Sequence, residues 1–263
     1  MNRTFGAIRD LTSSIGRPVR LMEVCGTHTV AIFRHGLRDL LPKEIVLLSG
    51  PGCPVCVTSI RDVDTVIEIS KHSDTIITTF GDMMRVPGDN KNLSQAKAEG
   101  SDIRIVYSPL DALKLAETNP DKKIVFFATG FETTSPLVAG TLAEADSRKI
   151  GNFYIYSVHK TVPPALKCLL NSPDIRIDGF ILPGHVTTII GLQPYEFVAR
   201  DYQKPSVVTG FDAPDILNSI VMLLRQIVRG EARIENEYAK VVKEEGNPRA
   251  IALLREFFEP EDA

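Results

Sequence analysis

The stretch LMEVCGTHTVAIFRHGLRDLLPKEIVLLSGPGCPVC, residues 21–56, holds three of the four cysteines of the chain in two loops. Each loop follows a short apolar run that is typical of a β-strand: RLMEV precedes Cys25, and EIVLLS precedes the CPVC motif of Cys53 and Cys56. In open α/β sheets, ligands bind outside the carboxyl ends of the strands. We therefore expect three thiols and the imidazole of His28 to share a crevice at one edge of a sheet.

Composition limits the classes of function. The 263 residues are 43% apolar, which suffices for a substantial core, and the net charge of −3 comes from interspersed charges. Without a basic stripe or a polybasic cluster, nucleic acid and membrane are not expected partners. The N-terminal residues lack the continuous apolar run of a signal peptide, so we expect a cytoplasmic protein. In a reducing cytoplasm a CxxC pair indicates metal binding or thiol chemistry more often than a structural disulfide.

Strand and helix patterns alternate along the whole chain, in two series of four strand–loop–helix units. The polar, turn-rich segment TNPDKK at 118–123 separates the two series. The sequence predicts an α/β fold of two similar Rossmann-like halves facing a central cleft, each half a four-stranded, mostly parallel sheet flanked by helices. The predicted domains are 1–120, which carries the CGTHT and CPVC loops, and 121–263, which ends in C-terminal helices.

Apolar periodicity also predicts individual helices. One covers residues 28–41 with Val30, Phe33 and Leu37 on its apolar stripe. Another lies near 59–70, where Ser59 and Asp62 have capping-box spacing and Ile60, Val63 and Ile67 point inward. Further helices are expected over 216–242, with an interruption at Gly230, and over 248–258.

The CPVC motif allows two kinds of chemistry. A two-residue spacing lets the sulfurs of Cys53 and Cys56 form a disulfide or bind one soft metal. The flanking glycines and prolines restrict the loop and let its backbone approach a partner closely. A structural alternative is a zinc clasp completed by Cys25 and His28. The fourth cysteine, Cys168, has the helical setting ALKCLL and is expected in the core.

Cys25 and His28 also leave alternatives open. A thiol near an imidazole suits a nucleophile with its base, or a ligand pair for iron or copper. The structural alternative is a buried thiol beside a histidine that caps its helix. In the second half of the chain, Glu132, His185 and Asp212 each follow a predicted strand. They are candidates for proton donors or ligand clamps on the opposing wall of the cleft, although polar residues at such positions are often helix caps.

Seven sequence blocks in the same order resemble the hydrogenase maturation factor HypD family: MEVCGTHT, GPGCPVCVT, TTFGDMMRVPG, VYSPLDALKLA, GFETT, PGHVTTIIG and VTGFDAPDIL. The resemblance implies a metallocentre-assembly scaffold rather than a turnover enzyme. Such a scaffold assembles the Fe(CN)2CO moiety of nickel–iron hydrogenase. The implied partners are a HypC-type small chaperone, a HypE-type protein that delivers cyanide and, indirectly, the hydrogenase large subunit.

By match of motif, the resemblance makes Cys25 the iron ligand, His28 its neighbour, and Cys53 with Cys56 a redox-active thiol pair. Members of the family also carry a cysteine-rich C-terminal domain with a 4Fe–4S cluster. No cysteine follows Cys168 here, so the ligands of that cluster are absent from this chain. Two other functions compete with the scaffold: a thiol–disulfide oxidoreductase acting through CPVC, and a zinc-stabilised structural protein.

Overall fold

The computed structural model describes residues 2–261; Met1, Asp262 and Ala263, at the outer ends of the predicted domains, lie outside this range. The strands are β1 (Val19–Glu23), β2 (Ile45–Ser49), β3 (Thr75–Thr79), β4 (Ile103–Ile105), β5 (Lys123–Ala128), β6 (Phe153–Ser157), β7 (Gly179–Pro183), β8 (Ser206–Thr209) and β9 (Ile234–Asn236).

Helices connect these strands. They are α1 (Asn2–Ile15), α2 (Gly26–Arg34), α3 (Leu37–Leu40), α4 (Ile60–Ile69), α5 (Leu93–Ala98), α6 (Pro109–Thr118), α7 (Ser135–Ser147), α8 (Val162–Leu170), α9 (Gly184–Ile190), α10 (Glu196–Arg200), α11 (Ala213–Arg229) and α12 (Pro248–Phe257), with short 3₁₀ segments at Gly81–Arg85 and Gln193–Tyr195. None of the helices between residues 2 and 261 combines the length and apolar character that crossing a bilayer requires.

The strands form two parallel sheets. One has the order β2-β1-β7-β8-β9 and the other the order β4-β3-β5-β6. Every pairing in both sheets is parallel. The predicted fold class, two Rossmann-like halves, is confirmed. The first sheet has a fifth strand, the short β9, which follows the αL glycine that ends α11.

The two compact units differ from the predicted domains 1–120 and 121–263. The first unit comprises Met1–Cys53 and Thr161–Pro248, and the second comprises Pro54–Lys160 and Arg249–Ala263. Strand pairing explains the difference, because β5 pairs with β3 across the expected boundary and β7 pairs with β1. The segment at 118–123 is a turn between α6 and β5 inside the second unit.

The first unit buries the helices α1 and α11 against its sheet. The buried face of α11 carries Ile220, Leu223 and Leu224, which are inaccessible to solvent. The predicted helix over 216–242 ends earlier, because Gly230 adopts a left-handed conformation with φ 64° and ends α11. The long helix therefore supports one face of the sheet that carries Cys25.

The helix predicted over 28–41 needs correction. It is broken into α2 and α3 at Gly36, whose φ of 60° is left-handed. Val30 and Phe33 were expected inward, yet they are 65% and 85% exposed. The buried face of α2 instead carries His28 and Ile32. The 3.6-residue period predicts a helix here, but two faces of that helix carry apolar residues at this spacing. The face with His28 and Ile32 packs on the core, and the face with Val30 and Phe33 is exposed.

The second unit has a core built on both faces of its sheet. Helix α4 begins as predicted, with the Ser59 hydroxyl accepting the N–H of Asp62 at 3.1 Å. Val63 and Ile67 are buried, whereas Ile60, expected inward, is 55% exposed. Phe258, which follows α12, packs against the apolar cluster of this unit. The C-terminal helix is thus part of the second unit.

Candidate functional site

Cys25 lies at the point where the strand order of the first sheet reverses. β1 leads through α2 and α3 to β2 on one side, whereas β7 leads through α9 and α10 to β8 on the other side. Between two such strands the following loops diverge and leave a crevice for ligands. Cys25 occupies the N-cap position of α2, in extended backbone with φ −107° and ψ 131°, and it is half-buried.

The loop before Cys53 lies directly on the loop that carries Cys25. The N–H of Gly26 donates to the carbonyl oxygen of Gly52 at 3.3 Å. The N–H of Gly50 donates to the carbonyl oxygen of Glu23 at 2.8 Å. A Cβ on Gly52 would lie 2.4 Å from both the Gly26 nitrogen and the Val24 oxygen. Glycine is therefore required at position 52, and the expected meeting of the two loops is present at the level of the backbone.

The CPVC motif is divided between the two compact units. Cys53 is the last residue of the first segment of the first unit, and the next residues, with Cys56, belong to the second unit. The hydroxyl of Thr58 donates to the carbonyl oxygen of Pro54 at 3.0 Å and lies 3.1 Å from the hydroxyl of Thr129, just past β5. Cys53 is half-buried and Cys56 is exposed.

His28 is held as a neutral imidazole. Its side chain has no exposed area, and Nε2 lies 2.9 Å from the carbonyl oxygen of Gly210. Because a carbonyl oxygen only accepts, Nε2 carries the hydrogen and Nδ1 has a lone pair. Nδ1 is buried and has no hydrogen-bond partner within residues 2–261. Burial lowers the pKa of His28 to about 4, although hydrogen bonding to the backbone of Gly210 and Thr209 opposes the shift.

Phe211 lies between two histidines, which sequence reasoning did not anticipate. Its ring stacks on His28 with centroids 4.5 Å apart and planes 19° apart. Its ring centroid lies 4.0 Å from that of His185, at the start of α9. Burial lowers the pKa of His185 below its ordinary value, though the residue as a whole is exposed. The structure thus joins His28 and the candidate His185 through one aromatic ring.

The three residues predicted to clamp a cofactor do not come from one strand edge. His185 and Asp212 belong to the first unit, and Glu132 belongs to the second. Asp212 is exposed and holds the N-cap position of α11, where its N–H donates to Asp215 at 3.3 Å. Glu132 is buried in the loop between β5 and α7. The position of Asp212 matches the helix-cap alternative.

Glu23 is a buried carboxyl that sequence reasoning passed over. It ends β1 with no exposed area, and Oε1 accepts from Ser49 Oγ at 2.9 Å, Arg38 Nη2 at 3.3 Å and Thr29 Oγ1 at 3.4 Å. Burial raises the pKa of Glu23, while its own backbone N–H, Ser49, Arg38 and Thr29 oppose the rise. The sequence did contain a sign of this residue, because Glu23 is a charged residue in the otherwise largely apolar run RLMEV.

The second unit has its own histidine at its strand ends. Nδ1 of His159 lies 2.9 Å from the hydroxyl of Ser157, and its ring meets Phe258 edge-on with centroids 5.7 Å apart. Burial lowers the pKa of His159 to about 4.

Cys168, expected in the core, is exposed on α8 instead, because the buried face of that helix carries Val162 and Leu166.

The zinc clasp receives no support from the donor geometry. Within residues 2–261 the structure gathers no group of three or more His, Cys, Asp or Glu side chains with metal-site geometry. A structural zinc site needs four such donors, and a 4Fe–4S cluster needs four thiolates. The residues present therefore fit neither group.

Comparison with known proteins shows the family of this chain. A family model, HypD, described as the hydrogenase formation hypA family, matches residues 1–263. The chain belongs to the HypD family. The hydrogenase maturation factor HypD of Escherichia coli K12 is 49% identical over 248 residues, which cover 94% of this chain and 66% of that protein. HypD of Rhodobacter capsulatus is 51% identical over 243 residues, covering 92% of this chain and 64% of that protein.

A more distant relative extends the comparison to archaea. The putative hydrogenase expression/formation protein of Methanocaldococcus jannaschii is 44% identical over 262 residues, covering 100% of this chain and 72% of that protein. The chain spans about two thirds of the length of the bacterial HypD proteins that it matches.

Proposed function

We propose that this HypD chain is a scaffold in hydrogenase maturation on which the Fe(CN)2CO unit is assembled. Family membership supports the maturation role, since its relatives are named as hydrogenase maturation factors. The observation that carries the assignment of the site is the backbone contact between the Cys25 loop and the loop before Cys53. That contact supports the proposal that Cys25 binds iron while Cys53, in the neighbouring loop, takes part in thiol redox chemistry.

Cys25 is the protein ligand in this proposal. Iron with cyanide and carbon monoxide ligands is a soft centre, and thiolate is the matching side-chain ligand. In this proposal the chain supplies one thiolate and a partner supplies another. A HypC-type chaperone is the proposed source of that second thiolate, and a HypE-type protein is the proposed source of cyanide. The hydrogenase large subunit then receives the finished iron unit.

Cys53 and Cys56 supply electrons in the same proposal. Oxidation of the two thiols to one disulfide releases two electrons and two protons, which serve the reductive step of ligand attachment to the iron. The half-buried Cys53 belongs to the loop next to Cys25, and the exposed Cys56 is open to an external reductant. A thiol–disulfide reaction with that reductant restores the dithiol.

The histidines have separate parts. His28 donates from Nε2 to Gly210, so it fixes the start of α2 against the β8 loop and leaves Nδ1 as a proton acceptor. His185, which contacts Phe211 from the exposed side, is a candidate proton donor to incoming ligands. Glu132 and Asp212 remain candidates for clamping partners or ligands.

Infrared spectroscopy of the chain with its chaperone partner tests the ligand assignment. Cyanide and carbonyl bands are expected with the native chain and with Cys168→Ala, a matched change at an exposed cysteine of the same unit. Cys25→Ala is expected to abolish the bands. Bands that persist unchanged in Cys25→Ala would show that another residue holds the iron.

A second candidate function is that of a thiol–disulfide oxidoreductase, because the exposed Cys56 is accessible to a substrate disulfide. That function predicts turnover of a generic disulfide substrate without iron. It also predicts that Cys53→Ser stops turnover while Cys25→Ser has no effect. The scaffold function instead predicts that Cys25→Ser abolishes iron loading.

A further inference from the structure

Glu23 stands out as a fully buried carboxyl that the proposed chemistry does not use. We infer that Glu23 is a positioning residue, whose carboxyl holds the Cys25 loop and the Cys53 loop in one fixed arrangement. The inference deepens the proposed iron site and rests on it. It assigns to Glu23 no contact with iron or with any ligand of the iron.

The side chain of Glu23 collects hydrogen bonds from three elements. Ser49 ends β2, four residues before Cys53, and its hydroxyl donates to Oε1 at 2.9 Å. Thr29 belongs to α2, the helix that begins after Cys25, and its hydroxyl lies 3.4 Å from the same oxygen. Arg38 of α3 adds a charged donor at 3.3 Å. One oxygen atom therefore connects the strand before one thiol to the helix after the other.

The backbone of Glu23 makes the same connection. Its carbonyl oxygen accepts the N–H of Gly50, the first residue of the Cys53 loop, at 2.8 Å. In the sheet Glu23 lies beside Ser49 on one side and Ile181 of β7 on the other. Main chain and side chain thus restrain the same two loops, so removing the carboxyl takes away the side-chain part of that restraint and leaves the backbone contacts.

A purely stabilising role accounts poorly for a carboxyl at this position. Taking a carboxylate out of water costs several kcal/mol, and apolar residues of similar volume often stabilise a core as well or better. Oε2 of Glu23 also has no hydrogen-bond partner within residues 2–261. What an apolar residue could not do is accept three hydrogen bonds from different elements at one point. That capacity is the property the two thiol loops require.

Alkylation kinetics test the inference. The rate constants of Cys25 and Cys53 with iodoacetamide are measured by mass spectrometry on the reduced, iron-free chain. A half-buried thiol reacts faster when its loop opens, and loss of the hydrogen bonds that Oε1 of Glu23 accepts changes that opening about tenfold. Glu23→Ala is therefore expected to raise both rate constants about tenfold.

Two variants separate positioning from charge and from general stability. Glu23→Gln keeps the size and an accepting oxygen, so both rates should stay within about twofold of the native values. Gln226→Ala removes another buried polar side chain, bonded to Glu235 and the Arg233 N–H beside β9, at the opposite edge of the sheet. It should destabilise the unit and leave both rates within the same limit.

Single-partner variants keep the test decisive if Glu23→Ala does not fold. Ser49→Ala should raise the rate of Cys53 more than that of Cys25, and Thr29→Val should do the reverse. Equal rises in Glu23→Gln and Glu23→Ala would overturn positioning in favour of charge. A similar rise of the two rate constants in Gln226→Ala, or no rise in Glu23→Ala, would show that Glu23 does not position the two thiol loops. Since the assay uses no iron, a failure of the iron assignment appears in the infrared test alone.

Discussion

Each compact unit has a neutral histidine just past the strands of its sheet, His28 with no exposed area in the first and the partly exposed His159 in the second. The two units differ in how the loops around these histidines are fixed. In the first unit, Cys25 and Cys53 belong to loops in backbone contact, and His28 bonds to a backbone carbonyl. In the second unit, His159 bonds to a serine hydroxyl and packs against Phe258. Backbone contacts fix positions more tightly than side-chain contacts, so the first edge suits a metal ligand.

Two glycines show the same difference. A Cβ on Gly52 would meet backbone atoms at 2.4 Å, whereas a Cβ on Gly130 would meet the side chain of Thr134 and, at 3.2 Å, that of His159. The Thr134 hydroxyl and the His159 ring can rotate away, and only the Thr134 Cβ, at 2.9 Å, is fixed to its backbone. At Gly52 every close atom belongs to the backbone. The comparison can therefore be tested by making the same substitution at both edges.

The largest effect is expected from Gly52→Ala. Because the backbone of two loops must move apart, we expect a loss of about 3 kcal/mol in the free energy of unfolding and faster alkylation of Cys25. Gly130→Ala should cost about 1 kcal/mol, with Cys25 unaffected. Denaturant unfolding followed by alkylation measures both. Equal costs at the two positions would remove the distinction between the edges.

Acid titration gives the next effect. Burial holds the pKa of both His28 and His159 at about 4, below the ordinary value of 6.5. The unfolded chain binds protons below pH 6.5 and the folded chain does not, so stability is full above pH 6.5 and is lost as the pH falls toward 4. His28→Gln should remove about 2 kcal/mol of the loss between pH 7 and pH 4.5.

His159→Gln should remove a similar part of the same loss, because burial lowers the pKa of His159 to about the same value. Both variants are compared with the native chain in urea titrations at the two pH values. Carboxyl groups contribute equally to all three proteins, so the differences report the histidines. A variant that leaves the loss unchanged would show that burial does not hold the pKa of that histidine at about 4 in the folded chain.

Phe211→Leu and Phe258→Leu test the smallest expected effect. Both keep an apolar side chain and remove ring contacts, two with histidines at Phe211 and one at Phe258. We expect losses of about 1 kcal/mol and about 0.5 kcal/mol, measured by thermal unfolding. A larger loss at Phe258 would contradict the view that the first edge is the more tightly organised.

The sequence predicts the strands and helices of this fold well, but it does not predict which strands lie next to each other in the sheets. Apolar runs locate the strands before Cys25 and Cys53, because period and turn residues are local properties. Which strands pair is not local, so neither the pairing of β5 with β3 nor the insertion of β7 beside β1 follows from the pattern. That is why the two compact units do not follow the predicted boundary near residue 120.

The site divides in the same way. Motifs identify Cys25, His28 and the CPVC pair, since their residue types are reactive in themselves. Glu23 and Phe211 escape, because their roles arise from contacts with residues that are distant in sequence, such as Ser49 and His28. Phe33 shows the converse error, as a helical stripe does not say which of its faces the core selects.

The central claim is that the sulfur of Cys25 binds iron. X-ray absorption at the selenium edge tests it directly on a chain with selenocysteine at position 25, loaded with iron beside its chaperone partner. The account predicts iron as a direct neighbour of selenium at position 25, and none for selenocysteine at position 53. Selenium without an iron neighbour at position 25, and with one at position 53, would contradict the account.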